Sequence, residues 1–209
     1  MRAQIVSITQ PCVVGVDNAE QLIAYAARVS NPENQLNTGT APRLLEYLIR
    51  HKHWSPFEMV DVTFYIETSR VVAQQILRHR SFSFQEFSQR YSNAHSVEPL
   101  ELRMSGARNR QSSTEACNDE RLQKLADASM TASWQCYQEL LSNGIARETA
   151  RMVLPLNTTT RMYMKGSVRS WIHYLQLRCA EETQKEHRLI ALAIRALMIE
   201  KFPTLAAVF

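Results

Sequence analysis

The sequence predicts a single domain, residues 1–209, that combines helices with strands. Its length allows one domain with a sizeable hydrophobic core, and 45% hydrophobic and 21% charged residues are typical of a globular protein. Some segments alternate apolar and polar residues, as strands do, and others repeat apolar residues at helical spacing. The five glycines form neither a GxGxxG motif nor a P-loop, so no Rossmann turn is predicted.

The first half of the chain is predicted to contain two strands and three helices. The helices begin at capping residues, which are Asp17-Asn18, Thr40, and Thr68 or Ser69. The second strand shows the clearest pattern, because apolar residues alternate with polar ones and give it one buried face. The predicted strands are 3–9 and 60–67, and the third helix is 69–80.

The third helix leads into a segment of unusual composition. Gln75 and Arg78 are neighbours at i, i+3 near the end of this helix. Residues 78–91, RHRSFSFQEFSQRY, then combine charged, hydroxyl, amide and aromatic groups without an aliphatic residue or a glycine. A core element would show an apolar face, and three phenylalanines argue against a solvated loop. We expect this segment to line a site for a large, flat, anionic ligand.

The second half of the chain is predicted to contain four helices and one strand. The predicted helices are 119–142, 145–154, 167–182 and 186–201, and the strand is 158–165. Asn143-Gly144 provides the C-cap of the helix 119–142, and Ser167 caps the helix 167–182. The segment 93–117 is predicted to be irregular, and we expect it to be either a mobile connection or an excursion over the site. Its polar residues include Arg103, Arg108, Arg110, Ser112 and Ser113.

Charge and cysteine usage narrow the class of protein. A net charge of +4 and a pI of about 9.0 suit a phosphate-bearing ligand as well as nucleic acid. We expect no membrane span, because no apolar run is long enough, and no secretory signal, because the N-terminus is short and polar. The four cysteines form no CxxC pair, so we predict no metal site and reduced thiols in a cytoplasmic protein. They are Cys12, Cys117, Cys136 and Cys179.

Arginines are the main candidate ligand-binding residues in the sequence. Their guanidinium groups suit phosphates and the edges of planar heterocycles, and nearby rings can flank a flat ligand by stacking. These residue types indicate a nucleotide-sized ligand, but they do not name a reaction. The arginines are Arg78, Arg80, Arg90, Arg151, Arg169 and Arg178, and the rings are Phe82, Phe84, Phe87 and Tyr91.

Four blocks of the sequence resemble the flavin-dependent thymidylate synthases. Arg78-His79-Arg80 and Ser88 have the spacing of that family's signature, Arg-His-Arg, seven residues, then Ser. HWSPFE at 53–58 is similar to the family's histidine–serine–proline turn. RMVLPLNT at 151–158 resembles the segment that supplies an arginine from a neighbouring subunit, and SVRSWIHYLQLR at 167–178 resembles the helix with the pyrimidine-contacting arginine. The blocks occur in the family's order and span most of the chain.

This resemblance implies an activity, a fold and an assembly. The family makes dTMP from dUMP, with methylenetetrahydrofolate as the one-carbon donor and NADPH-reduced FAD as the hydride source. The implied fold is α/β of the α+β type, a central, mainly antiparallel sheet with flanking helices. The implied enzyme is a homotetramer with active sites between subunits, and FAD lies in an interfacial groove. No nucleic acid or membrane partner is implied.

The resemblance also assigns residues to the site. The dUMP-binding set is Gln75, Arg78, Glu86, Ser88, Gln89, Arg90, Arg151 and Arg178. The FAD-binding set is Ser55, Arg78, His79, Arg80, Glu86, Ser167, Arg169 and His173. His53 and Tyr91 are assigned to the folate or nicotinamide side. Three positions depart from the commoner family pattern, since asparagines are frequent in place of Gln85, Ser167 and His173.

The resemblance assigns the catalytic role to Arg178. When C5 of the uracil acts as a nucleophile, negative charge develops on the N3–C4 edge, and a fixed cation stabilises that charge. Arginine stays protonated, so Arg178 is expected to act electrostatically rather than as a proton shuttle. Ser88 is assigned to substrate positioning, because a hydroxyl without an adjacent base is a poor nucleophile.

Two other classes of function remain open at the level of the sequence. A nucleic-acid-binding module would use the same arginines and rings to stack single-stranded bases, although the arginines are spread over distant segments. Its affinity would fall steeply with salt and it would bind no flavin. An inactive flavin-binding relative would bind the cofactor without transferring a methyl group to dUMP.

Overall fold

A computed structural model of the chain describes residues 1–107, 109 and 111–209. Contacts between Cα atoms divide the chain into two compact units, each made of discontinuous segments. The first unit comprises residue 1, 67–78 and 85–162, and the second comprises 2–66, 79–84 and 163–209. The prediction of one domain over 1–209 stays a prediction. No helix among the described residues is both long and apolar enough to cross a bilayer.

Four strands form one sheet in the order β1 (Arg2–Ile8), β2 (Asp61–Ser69), β6 (Thr159–Ser167) and β3 (Ser83–Glu86). Hydrogen bonds at the strand ends show that neighbouring strands run antiparallel. The amide of Thr9, just after β1, donates to the carbonyl of Asp61 at the start of β2. The amide of Arg70, just after β2, donates to the carbonyl of Thr158 just before β6. This agrees with the predicted mainly antiparallel sheet with flanking helices.

Seven α-helices occur in the described residues, and most agree with the sequence prediction. Asn18 caps α1 and Asp119 caps α4 through their side chains, and Gly144, at φ +77°, follows α4 where the C-cap was predicted. The helices are α1 (Ala19–Ala27), α2 (Ala41–Arg50), α3 (Arg70–Ile76), α4 (Glu120–Ser142), α5 (Arg147–Ala150), α6 (Val168–Arg178) and α7 (Lys185–Lys201).

The core of the second unit forms between strand and helix faces. Val62, Phe64 and Ile66 alternate along β2 and are all fully buried, as the period-2 pattern predicts. The Trp171 ring of α6 lies against Phe64 at 4.8 Å between centroids, and its Nε1–H donates to the Val62 carbonyl at 3.1 Å. Helix α7 adds further buried apolar residues, which are Ile190, Ala191, Ile194 and Met198.

The first unit has a smaller core beneath α4. Tyr137 is the only buried residue of this 23-residue helix, and its hydroxyl accepts from the Ala94 amide at 2.9 Å. Ala94, Tyr137 and Ala150 form a buried cluster against which Trp134 packs. Most of α4 is therefore exposed in the isolated chain.

The prediction for residues 78–91 needs two corrections. The segment was predicted as a ligand-lining stretch without a strand, but Ser83–Glu86 form β3, because their backbone groups pair with β6 at the edge of the sheet. Phe82 was named among the rings that could stack on a ligand, but its ring is buried against Trp171 at 4.7 Å between centroids. In addition, α3 ends at Ile76, so Arg78 lies just beyond the helix on which it was predicted.

The segment 93–117 is more ordered than predicted. Its backbone groups pair in a short antiparallel hairpin of β4 (Arg103–Ser105) and β5 (Ser113–Ala116). Arg108 and Arg110 lie outside the described residues.

Candidate active site

The N-terminal part of α6 presents a polar face at one side of the second unit. Ser167 begins the helix, and its hydroxyl oxygen accepts from the Ser170 amide at 3.3 Å, as predicted for an N-cap. Arg169, His173 and Gln176 follow at helical spacing and are exposed. Because Trp171, Tyr174 and Leu175 bury the opposite face, the helix is fixed with its polar side chains directed away from the core.

These side chains line a cavity of about 600 Å³ within the second unit. The Arg169 guanidinium donates to the Glu58 carboxylate at 2.5 Å, which ties α6 to the turn 55–58. Ser170 donates to the carbonyl of Ser81 at 3.3 Å, which ties α6 to the segment before β3. The cavity therefore combines cationic, hydroxyl and imidazole groups with the indole of Trp54. Such donors suit a flat, anionic ligand.

His79 contacts Arg178 at the C-terminal end of α6. The Nε–H of Arg178 donates to Nε2 of His79 at 2.9 Å, and both residues are half-buried. An imidazole nitrogen that accepts carries no proton, so the neutral ring has its proton on Nδ1. Burial, together with the smaller effects of the Arg178 charge and of His173, lowers the pKa of His79 to about 4. His79 therefore stays neutral near pH 7 and holds the arginine as an acceptor.

The first unit holds Glu86 in a defined position. The Thr160 hydroxyl on β6 donates to Oε1 of Glu86 at 2.9 Å, and Arg70 forms an ion pair with the same oxygen at 3.7 Å. Thr160 is buried and Glu86 is half-buried. The carboxylate is therefore oriented by a neutral donor and by a cation.

A second cavity, of about 460 Å³, lies within the first unit beside α5. Ser88, Arg90 and Tyr91 line it together with Arg147 and Glu148. Arg90 forms an ion pair with Glu148 at 2.9 Å, but both side chains are more than half exposed. Such a pair contributes little to stability, so Arg90 can exchange this partner for a phosphate at low cost.

Four other residues of the predicted dUMP set lie in the same unit. Gln75 is half-buried on α3, and Arg78 beyond the helix is exposed. Gln89 is 3% exposed, and its Nε2 has no hydrogen-bond partner among the described residues. A buried amide without a partner costs about 1–3 kcal/mol, which a ligand oxygen would recover. The Nε of Arg151 donates to the Glu148 carbonyl at 3.4 Å.

The remaining predicted site residues are exposed. Ser55 starts the short helical turn 55–58, next to the cavity-lining Trp54. His53 lies near Tyr47, with 6.2 Å between ring centroids. Arg80 is exposed, and Tyr91 is 86% exposed. The roles of all these residues stay predictions.

Several residues of the sites were not predicted from the sequence. The spacing Arg169–His173–Gln176 was a signal for Gln176, because these positions share one helix face. Ser81 lies in the segment 78–91 and Glu58 in the block 53–58, but neither residue was singled out, because both reach the cavity only through the packing of distant segments. The residues that were missed in the two cavities are Lys52, Trp54, Glu58, Ser81, Ser170, Ile172 and Gln176 in the second unit, and Ala146, Arg147 and Glu148 in the first.

Comparison of the sequence with known proteins gives full-length matches. A family model described as "Thymidylate synthase complementing protein" matches residues 12–204. The flavin-dependent thymidylate synthase of Synechocystis is 53% identical over 215 residues, which cover 99% of this chain and 98% of that protein. A probable flavin-dependent thymidylate synthase of Paramecium bursaria Chlorella virus 1 is 48% identical over 99% of this chain and 97% of that protein.

The fold also matches a solved structure. A UMP/dUMP methylase, PolB from Streptomyces cacaoi, crystallised with 5-Br dUMP, superposes with a TM-score of 0.81 at 26% identity. The alignment covers 100% of this chain and 94% of that one. The sequence blocks, the family model and the fold therefore agree, and this chain belongs to the family of the flavin-dependent thymidylate synthases.

Proposed function

We propose that this chain methylates dUMP to dTMP as a flavin-dependent thymidylate synthase. Full-length similarity to enzymes of that name carries the proposal. In this reaction C5 of the uracil forms a bond to the one-carbon unit of methylenetetrahydrofolate and loses its proton, and the bond from that carbon to folate nitrogen breaks. A hydride completes the methyl group, so tetrahydrofolate leaves without being oxidised. NADPH is the proposed source of the electrons.

Arg178 is proposed to stabilise the charge that develops on the pyrimidine. Its bond to His79 uses Nε, not the two terminal nitrogens, which can form the fork that matches the N3–C4 edge. Because His79 fixes the guanidinium before substrate arrives, little reorganisation is needed during the reaction. The half-buried position of Arg178 strengthens this interaction, since the local dielectric is lower than in water.

The residues of the second unit fit a flavin. The cavity beside α6 offers an indole wall at Trp54 and donors from Arg169, His173 and Ser170 to ring oxygens and nitrogens or to phosphate. When bound and reduced, the flavin supplies the hydride. Ser167 and His173 can both donate hydrogen bonds, so the replacement of the commoner asparagines preserves the donor chemistry. Ser55, His79 and Arg80 of the second unit complete the proposed FAD set together with Arg78 and Glu86, which belong to the first unit.

The residues of the first unit are proposed to bind dUMP. Ser88 and Arg90 lie in one cavity and provide a hydroxyl and a cation for the phosphate, with Arg151 as the arginine from a neighbouring subunit. Gln89 provides a buried amide without a partner among the described residues. Gln75, Arg78 and Glu86 of the first unit complete the proposed set together with Arg178, which belongs to the second unit. His53 and Tyr91 are proposed to lie on the folate or nicotinamide side.

The assembly and the location are proposals of the same kind. A homotetramer with sites between subunits is the family's arrangement, and the exposure of most of α4 supports self-association. The four cysteines are free, which supports a cytoplasmic location because thiols stay reduced there.

Two assays on the purified protein test the proposed function. The first is an absorbance spectrum, with FAD added if the protein is colourless. The second is NADPH oxidation with and without dUMP, followed by detection of dTMP after methylenetetrahydrofolate is added. We expect a bound flavin whose reduction responds to dUMP, and dTMP as the product.

Each other result would contradict the proposal in a distinct way. Flavin binding without dTMP would indicate an inactive flavin-binding relative. A protein that takes up no flavin but binds single-stranded nucleic acid in a strongly salt-dependent manner would indicate a nucleic-acid-binding module.

A further inference from the structure

A buried polar pair lies directly behind the His79–Arg178 bond. Tyr174 of α6 and His187 of α7 are both fully buried, and the Tyr174 hydroxyl shares a hydrogen bond with Nε2 of His187 at 3.0 Å. The Tyr174 ring contacts the His79 ring edge-on, with 4.9 Å between centroids and an angle of 73°. The His187 ring is 6.4 Å from that of His79 at 88°. All four residues belong to the second unit.

Packing between α6 and α7 does not by itself require a polar pair at this position. A buried hydrogen bond contributes about 1 kcal/mol net, and replacing both partners by apolar groups of similar shape is often neutral. An apolar pair between α6 and α7 would match the buried Trp171, Ile190 and Ile194 around it. The polar pair therefore suggests a requirement other than packing.

The pair restricts the position of the His79 ring. Phe82 lies edge-on to His79 at 6.3 Å and 87°, so rings of Phe82, Tyr174 and His187 surround the imidazole. The tilt of Tyr174 is in turn fixed by its bond to His187. With His79 held in this way, Nε2 is directed at Nε of Arg178.

The groups around His79 also keep its Nε2 unprotonated, so that it can accept the hydrogen bond from Arg178. The titratable or charged groups that face it are Arg178 and His173 from α6, Tyr174 from the same helix, and His187 from α7. None of these is an anion near pH 7, so a proton on both nitrogens of His79 would be opposed by Arg178 and by burial. A doubly protonated ring could not accept from Arg178.

We propose that Tyr174 and His187 are positioning residues for methyl transfer: they orient the His79 ring and, through it, the guanidinium of Arg178. The inference rests on the proposed function for its effect on turnover. Neither residue touches the reacting atoms, so their loss is expected to lower kcat more than it raises KM for dUMP.

The first test removes one oxygen atom. Tyr174→Phe keeps the ring but loses the bond to His187, and we expect kcat to fall about 5- to 10-fold, the equivalent of one net hydrogen bond. Flavin content and KM for dUMP should stay within about twofold of wild type. The matched control is Tyr137→Phe, which removes another buried hydroxyl with a hydrogen bond, in the first unit. It should keep the wild-type kcat.

The second test uses rescue at His187. His187→Gln retains an amide that can bond the Tyr174 hydroxyl, whereas His187→Leu does not. We expect His187→Gln to keep a higher kcat than His187→Leu. Equal kcat in these two variants, or wild-type kcat in Tyr174→Phe, would overturn the proposal.

Nitrogen NMR makes the test independent of turnover. In arginine- and histidine-labelled protein, the Nε–H of Arg178 should exchange slowly with solvent, and His79 should be neutral with its proton on Nδ1. Tyr174→Phe should speed that exchange, while Tyr137→Phe should not. If the wild-type protein makes no dTMP, the proposed function fails, but the NMR experiment still tests the positioning of Arg178. An exchange rate of the Arg178 Nε–H that is unchanged in Tyr174→Phe would show that Tyr174 does not position the guanidinium.

Discussion

The proposed role of Arg178 in stabilising charge on the pyrimidine depends on the geometry of its guanidinium group as well as on its positive charge. Its Nε is committed to His79, so the terminal nitrogens are presented from a fixed side. A lysine at this position would carry one flexible ammonium group with no equivalent of Nε, and it could not bond His79 and the substrate in the same arrangement. Charge and geometry can therefore be separated by substitution.

Arg178→Lys should lower kcat for dUMP methylation by about 100-fold or more, because a positioned charge-stabilising donor is worth roughly that factor. FAD binding should remain largely intact, because the cavity residues beside α6 are unchanged. Steady-state kinetics and flavin absorbance measure the two effects. Wild-type kinetics in this variant would remove Arg178 from its assigned role.

His187 makes stability depend on pH. Burial lowers its pKa to about 3, with smaller contributions from Arg178 and His79. Below about pH 6.5 the unfolded chain binds a proton at this residue that the folded chain does not bind. Stability is therefore fully present above about pH 6.5 and decreases as the pH falls towards 3. His79 acts in the same direction, because its pKa is also lowered.

His187→Leu should reduce this pH dependence. Urea unfolding at pH 7, 6 and 5 should give wild type a steeper loss of unfolding free energy than the variant, by up to about 1.4 kcal/mol per pH unit. Parallel curves for the two proteins would mean that His187 is protonated equally in the folded and unfolded chains.

At the scale of elements, β6 can pack closely against Phe82 because residue 166 of the strand is a glycine. A Cβ added to Gly166 would lie 2.4 Å from Cδ1 of Phe82. The Phe82 ring cannot move aside easily, because it is wedged against Trp171 and Tyr174. Gly166 therefore sets how closely this segment, which includes His79, packs on the strand.

Gly166→Ala should destabilise the chain by about 1–3 kcal/mol, the usual cost of overpacking a core. The control is Gly39→Ala, whose added Cβ would be 3.8 Å from its nearest neighbour, in ordinary contact. Urea unfolding compares both variants with wild type. Equal stability of the two variants would show that the Phe82 ring can be displaced without cost.

Most elements could be predicted because their signals are local. Capping residues and periodicity located α1, α2, α4, α6 and β2 within a few residues. The strand β3 was missed, since its polar side chains carry no period-2 apolar pattern and its pairing with β6 supplies the order. The hairpin β4–β5 was missed for the same reason, because all residues of β5 are exposed.

At the scale of the whole molecule, most of α4 is exposed and is available for the proposed self-association. Only Tyr137 of its 23 residues is buried, and Leu125 is 65% exposed. Leu122 is also exposed, so two exposed leucines lie three positions apart on the same side of the helix. A second copy of this chain is the proposed partner, consistent with the proposed homotetramer.

Subunit mixing tests the shared active site. Sedimentation should give a mass of about four times 24.0 kDa. Arg90→Gln and Arg151→Gln should each be inactive alone, because each removes one phosphate-binding cation. Co-expression of the two variants should restore part of the wild-type activity if one site takes these arginines from different subunits. No recovery in a verified mixed oligomer would place both arginines in the same chain's site.

The sequence by itself determined the mixed fold class, most element boundaries and the family, because periodicity, capping and motif spacing act over short distances along the chain. The tertiary structure decided which of those residues meet. Arg178 bonds His79 across 99 positions, Phe82 is buried instead of stacking on a ligand, and Tyr174 and His187 form a pair that no motif indicated. Such contacts depend on how distant elements pack, and local patterns carry no information about that packing.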